Sequence, residues 1–143
     1  MQKLGPEELR DLLEQPFVAV LATYRKDGSV LLSPVWHQWR DDGFDVVVGP
    51  NDIKLTHLRR DPRASVVVFE HDPPYRGLEV RGEVRLDPDG AEEAIRSMAV
   101  RYLGSDDGQA YADSLEDSGS VLVRLEPTET RGWDFADDWP AED

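Results

Sequence analysis

The sequence predicts a mainly β (α+β) fold, an antiparallel barrel of six to seven strands with short flanking helices. Three observations predict it. Apolar residues come in short runs bounded by Asp-Gly, Gly or Pro, as strands and tight turns require. Too few residues separate the first of these runs for the crossover helices of a parallel sheet. Helical spacing is clear in only three segments, so helices pack outside a sheet that closes on itself.

Residues 6–15 predict a helix, with Pro6 suited to its first turn and Leu9, Leu12 and Leu13 on one face. FVAVLAT follows Pro16 as a buried strand, and the Asp27-Gly28 pair turns it back into the strand VLLSPVWHQW, residues 30–39. Asp42-Gly43 turns the chain again into FDVVVG, so these three strands predict a meander. A short helix over 52–60 follows, capped by Asn51 or Asp52, with Leu55 and Leu58 inward and Pro62 as its stop. ASVVVFE at 64–70 is the next strand, and HDPPYRG is an irregular loop. In LEVRGEVRL, residues 78–86, Leu78, Val80, Val84 and Leu86 alternate with charged residues, and Gly82 marks an inward bend. The third helix buries Ala94, Ile95, Met98, Ala99, Tyr102 and Leu103 and ends at Gly104. The polar stretch 106–118 is compatible with a further short helix, and two strands, 120–126 and 128–135, complete the order.

The 143 residues suit one domain, 1–135, followed by an acidic tail at 136–143 expected to be mobile. No apolar run approaches a membrane span, and the amphipathic, acidic N-terminus lacks the apolar core of a secretory signal. Without cysteine there are no disulfides, thiolate metal sites or cysteine nucleophiles, and the expected location is cytoplasmic. A net charge of −14 argues against a nucleic-acid partner. Arginine outnumbers lysine thirteen to three, as GC-rich coding favours, and Lys54, Arg59, Arg60 and Arg63 cluster within ten positions.

Standard catalytic signatures are missing: no G-x-S-x-G, no P-loop and no G-x-G-x-x-G. His37, His57 and His71 lack metal-pair spacing, so no metal site is expected. Two features stand out. Pro34 interrupts a strand, in Ser33-Pro34-Val35-Trp36, so that strand is an edge, is bulged, or faces a ligand or a dimer seam. Lys54 opens a helix whose dipole disfavours a cation there, which suits either a solvated lysine or one that holds an anion.

LATYRKDGSVLLSPVWHQW, VVVGPNDIKLTHLRRDPRASVVV and EVRGEVRL, in that order, resemble the pyridoxamine 5′-phosphate oxidase-like split-barrel superfamily, and more narrowly its small deazaflavin-dependent actinobacterial branch. The resemblance spans residues 6 to 126 and implies a homodimer with two cofactors in grooves between split barrels. Ser33, Val35 and Trp36 match the strand lining the tricyclic ring, and Val47 and Val48 match the strand beneath the ring or ribityl chain. Lys54 matches the phosphate lysine, next to the Asn51 turn, while Ile53 stands where many relatives carry a second basic residue. Gly77 and Glu79 match a segment reaching the cofactor from the partner subunit, and Trp133 matches a strand that closes the site. Arg59, Arg60 and Arg63 are placed to attract a polyglutamate tail.

The vitamin B6 oxidases of this superfamily are longer and carry more basic residues, so the resemblance points away from them. It implies an oxidoreductase passing a hydride from reduced coenzyme F-420, an 8-hydroxy-5-deazaflavin, to a small unsaturated organic acceptor. An FMN-dependent enzyme of the same fold and a non-catalytic flavin-type cofactor-binding protein are the alternatives. His37, by alternation on the face of Ser33 and Val35, is the candidate proton donor, with water as the alternative.

Overall fold

The computed structural model of the chain describes residues 2–138. It opens with β1 (Gln2–Leu4), a 3-10 turn (Pro6–Leu9) and α1 (Arg10–Glu14). Four strands follow: β2 (Ala19–Tyr24), β3 (Val30–Val35), β4 (Gln38–Arg40) and β5 (Gly43–Val48). After α2 (Ile53–Arg60) come β6 (Arg63–Phe69), β7 (Gly77–Asp87), α3 (Ala91–Leu103), α4 (Ser105–Ser114) and β8 (Val121–Asp134). Ala136–Asp138 is a 3-10 turn; the rest of the expected tail, 139–143, lies outside the described residues.

All paired strands are antiparallel, in the order β3-β2-β6-β7-β8-β5-β4, with β1 added to the end of β8. The edges β3 and β4 are consecutive in the chain yet stand at opposite ends of the sheet. The sheet curls so that Trp36 and His37 link its two edges without hydrogen-bonding them into one ladder, and the barrel stays split there. This corrects the expected meander: residues 30–39 are two strands broken at Trp36-His37, not one. Pro34, which has no N–H to give, lies on the edge strand β3 opposite Val20.

The second turn also differs from its sequence signal. Asp41 and Asp42, with φ of 48° and 58°, form the two-residue loop, and Gly43 already belongs to β5. Positive φ at both loop positions is the mirror-image turn whose twist matches antiparallel strands. The two C-terminal strands are one, β8, which pairs with β7 through a register shift at Arg81/Gly82. A Cβ on Gly82 would lie 1.9 Å from the Glu126 carbonyl oxygen, so only glycine lets the two backbones approach there. Pro127 falls at the same irregularity, where the ladder needs no N–H.

The core fills the barrel from both sheet and helices. Leu9, Leu12 and Leu13 of the N-terminal turn and α1 join Leu55 and Leu58 of α2, with Leu21, Phe44, Val46, Val66, Val80 and Leu125 from the strands. α3 and α4 lie outside, where Ala91, Ala94 and Met98 cover Leu122. Leu103, expected in that stripe, is 42% exposed because it is the last residue of α3, where the chain turns into α4. No helix among the described residues is long and apolar enough to cross a membrane.

Candidate functional site

The residues singled out by sequence fall on four surfaces of one chain. The first is the start of α2. Asp52, rather than Asn51, is the cap: its Oδ1 accepts from the Lys54 backbone N–H at 2.9 Å. Its Oδ2 also pairs with Lys54 Nζ at 2.8 Å. Asn51 is exposed, and Ile53 presents its side chain to solvent. At the other end of the helix, Arg60 donates to the Tyr24 carbonyl at 2.6 Å, and Arg63 pairs with Asp61 at 2.8 Å. Arg59 is exposed and makes no ion pair among the described residues. α2 is fastened to the barrel by a 2.9 Å hydrogen bond between Thr23 Oγ1 and His57 Nδ1, both groups buried.

The second surface is the inner side of the sheet. Ser33 and Val35 face inward on β3, opposite Leu21 and Ala19, while Leu32 and Pro34 face outward. Alternation separates the two β5 valines as well: Val48 is in the core, whereas Val47 turns outward under α3. The two valines matched to the strand beneath the ring or ribityl chain therefore present to different sides of the sheet. Trp36 joins Val47 on that third surface, stacked on Tyr102 at 4.9 Å and 5° and tilted against Tyr111 at 5.3 Å. Its flat face is covered by α3 instead of standing open beside β3.

The fourth surface is the outer face of β2, β6, β7 and β8. Register places Phe69 opposite Gly77 and Gly77 opposite Trp133, with Val20, Val67, Glu79 and Arg131 forming the next row. The Trp133 indole lies over Gly77, where a Cβ would be 2.3 Å from Cζ2, and its Nε1 donates to the Tyr75 carbonyl at 3.0 Å. The Arg131 guanidinium stacks on the same indole at 4.7 Å and approaches Glu79 at 3.5 Å. Exposed apolar side chains, Val18, Val30, Leu32 and Phe69, flank this row on the β3–β2–β6 side.

His37 belongs to none of these surfaces. Its side chain is fully buried, edge-on to Phe44 at 5.3 Å and to Tyr102 at 6.4 Å, and neither ring nitrogen has a hydrogen-bond partner among the described residues. Burial, reinforced by the charge of Arg101, lowers its pKa from 6.5 to about 3. A neutral imidazole closed off from solvent cannot exchange protons with a substrate, so the geometry moves the proton-donor role away from His37. Its backbone is used instead: the His37 N–H donates to the Tyr102 hydroxyl at 3.1 Å, and Arg101 donates to its carbonyl. Alternation from Ser33 and Val35 points this ring inward, and it packs there on Phe44 of the core; what alternation could not show is that the position is closed to a ligand.

Sequence reasoning missed one polar cluster. Asp45, fully buried on β5, accepts from Arg40 at 2.8 Å, Gln38 at 3.0 Å and Arg124 at 3.3 Å. Its signal was an Asp inside the run FDVVV facing an Arg inside VLVRL, visible only once those strands are paired. Asp45 also lines a cavity of about 310 Å³ against α3. That cavity, and three others of about 340 to 420 Å³, are lined by none of the residues assigned to cofactor binding.

The family model described as pyridoxamine 5′-phosphate oxidase matches residues 6–134 of the chain. No curated protein matches it. Among solved structures it is similar to a conserved hypothetical protein from Mycobacterium tuberculosis, with 25% identity, a TM-score of 0.83 and coverage of 98% of this chain and 91% of that one. It is similar also to an F-420 reductase, with 27% identity, a TM-score of 0.69 and coverage of 85% and 94%. A FAD-binding protein from Mesorhizobium loti, 24% identical over 92% of this chain and 95% of its own with a TM-score of 0.67, shares the fold.

Proposed function

The chain belongs to the pyridoxamine 5′-phosphate oxidase family, and from that premise we propose an oxidoreductase that binds a flavin-type cofactor, the deazaflavin coenzyme F-420, in a groove between two copies of the chain. One observation carries this reading: the residues assigned to the cofactor lie on separate faces of one chain, and no cavity described above gathers them. Gly77, Glu79 and Trp133 share the outer sheet face with the exposed flank of Val18, Val30, Leu32 and Phe69. Contiguous exposed apolar surface of this kind is what an interface buries. A two-fold seam along it sets one copy's outer face against the other's, so each groove draws residues from both. Similarity to the F-420 reductase supports the deazaflavin.

The donor set suits such a group. Lys54 and the first turn of α2 provide an ammonium and a helix N-terminus for one phosphate, and the apolar flank suits a planar ring. Arg59, exposed and without an ion pair among the described residues, suits the carboxylates of a polyglutamate tail. When bound, the deazaflavin supplies the hydride. The residues around it would orient the ring toward a small unsaturated organic acceptor, with the site open to water. With His37 closed off, solvent water supplies the proton that completes the reduction.

Spectrophotometric titration of the purified protein with F-420 and with FMN tests the reading. F-420 is expected to bind more tightly, and Lys54→Ala to weaken it by about 1.5–3 kcal/mol, the range of a charge-assisted hydrogen bond. Preference for FMN would transfer the reading to an FMN-dependent enzyme. Tight binding without turnover across a panel of unsaturated acceptors would reduce it to a cofactor carrier. Affinity unchanged in Lys54→Ala would remove the phosphate assignment.

A further inference from the structure

Asp52 occupies the place an incoming anion needs. Among the donors a phosphate would meet at the start of α2, Lys54 offers two, its backbone N–H and its ammonium. Asp52 already takes both, through Oδ1 at 2.9 Å and Oδ2 at 2.8 Å. The pair is largely withdrawn from water, with the Asp52 and Lys54 side chains 26% and 14% exposed, so solvent screens it less than a surface pair. Burial pushes the Asp52 carboxyl up, but the hydrogen bonds from the Lys54 side chain and backbone outweigh it and hold the group below its usual range. It is therefore charged at neutral pH.

That charge is not needed for the cap. An N-cap requires an oxygen acceptor, and asparagine or serine caps about as well as aspartate. The carboxylate's distinctive effect is to neutralise the one cation at this helix end, where the adjacent side chain is the apolar Ile53. Resting on the reading that Lys54 receives the cofactor's phosphate, we infer that Asp52 is a built-in competitor for that phosphate and sets how tightly it is held. Binding requires the anion to displace Oδ2 from Nζ, so the cofactor is held weakly and exchanges.

Asp52→Asn keeps the cap and removes the charge. Calorimetric titration of the wild type, Asp52→Asn, Lys54→Ala and the double variant with F-420, FMN, riboflavin and inorganic phosphate tests the inference; Asp52→Ser repeats it should asparagine disturb the fold. Asp52→Asn is expected to tighten FMN and inorganic phosphate by about tenfold or more. Riboflavin, which lacks the phosphate, is expected to be unaffected, and the gain to vanish when Lys54 is alanine. Equal or weaker binding of both anions by Asp52→Asn, no measurable binding of either, or an equal gain for riboflavin overturns the inference. A phosphate gain that needs Lys54, with no variant binding F-420 or FMN, keeps the competitor assignment and removes the flavin reading instead.

Discussion

Burial keeps the His37 imidazole neutral down to a pKa of about 3, whereas the same side chain in the unfolded chain titrates near 6.5. Between those values the unfolded state binds more protons than the folded one. Stability is therefore full above pH 6.5 and falls as the pH drops toward 3, by up to about 1.4 kcal/mol per pH unit from this group. His37→Leu fills a similar apolar volume beside Phe44 without the titratable nitrogens. Urea unfolding at pH 7, 5.5 and 4.5 is expected to show a flatter acid limb for the variant than for the wild type. Parallel pH profiles would place the acid sensitivity in other groups.

The β4–β5 hairpin shows how an element is held by a side chain from outside it. Arg124 on β8 donates to the carbonyls of Arg40 at 2.5 Å and Asp41 at 2.8 Å, fixing the turn from below while it pairs with Asp45. Arg124→Met removes those donors and leaves a buried carboxylate short of one partner. The expected loss is about 2 kcal/mol by urea denaturation, since two turn carbonyls lose a donor while Asp45 keeps Arg40 and Gln38. The turn itself carries strain of the opposite sign. Asp42, at φ 58°, holds a left-handed conformation that costs a non-glycine residue about 1 kcal/mol. Asp42→Gly is expected to stabilise the fold by roughly 0.5 kcal/mol and to raise the thermal midpoint; a lower midpoint would mean the aspartate side chain supports the turn.

On the scale of the whole molecule, the exposed flank decides whether a single copy is complete. Leu32, 65% exposed on the outward side of the edge strand β3, is the clean place to put a charge. Val35 is not, because it packs inward against the core and its replacement by glutamate would damage the barrel itself. Leu32→Glu is expected to leave the circular dichroism spectrum unchanged, to halve the mass seen by light scattering at micromolar concentration, and to abolish cofactor binding with it. A wild-type monomer that binds cofactor stoichiometrically would overturn the shared groove, and a dimeric Leu32→Glu would move the seam to another face.

Much of the fold was legible because its signals are local. Alternation in LEVRGEVRL, the Asp-Gly turn after Tyr24, the Pro62 stop and Gly104 each specify geometry over a few residues, and each stands where the pattern put it. The cap of α2 is local too, and the sequence narrowed it to Asn51 or Asp52; in the folded chain it is Asp52, with its second oxygen on Lys54. The rest depended on contacts distant in sequence. That residues 30–39 divide between the two edges of the sheet, that Trp36 stacks on Tyr102, and that His37 sits beside Phe44 follow from which strands pair and how the sheet curls. By itself, then, the sequence determined where most strand segments lie, the alternation within them and the first tight turn, because periodicity and backbone preference act over a few residues. Tertiary structure alone decided which of those segments meet, because pairing and burial join residues that the chain keeps far apart.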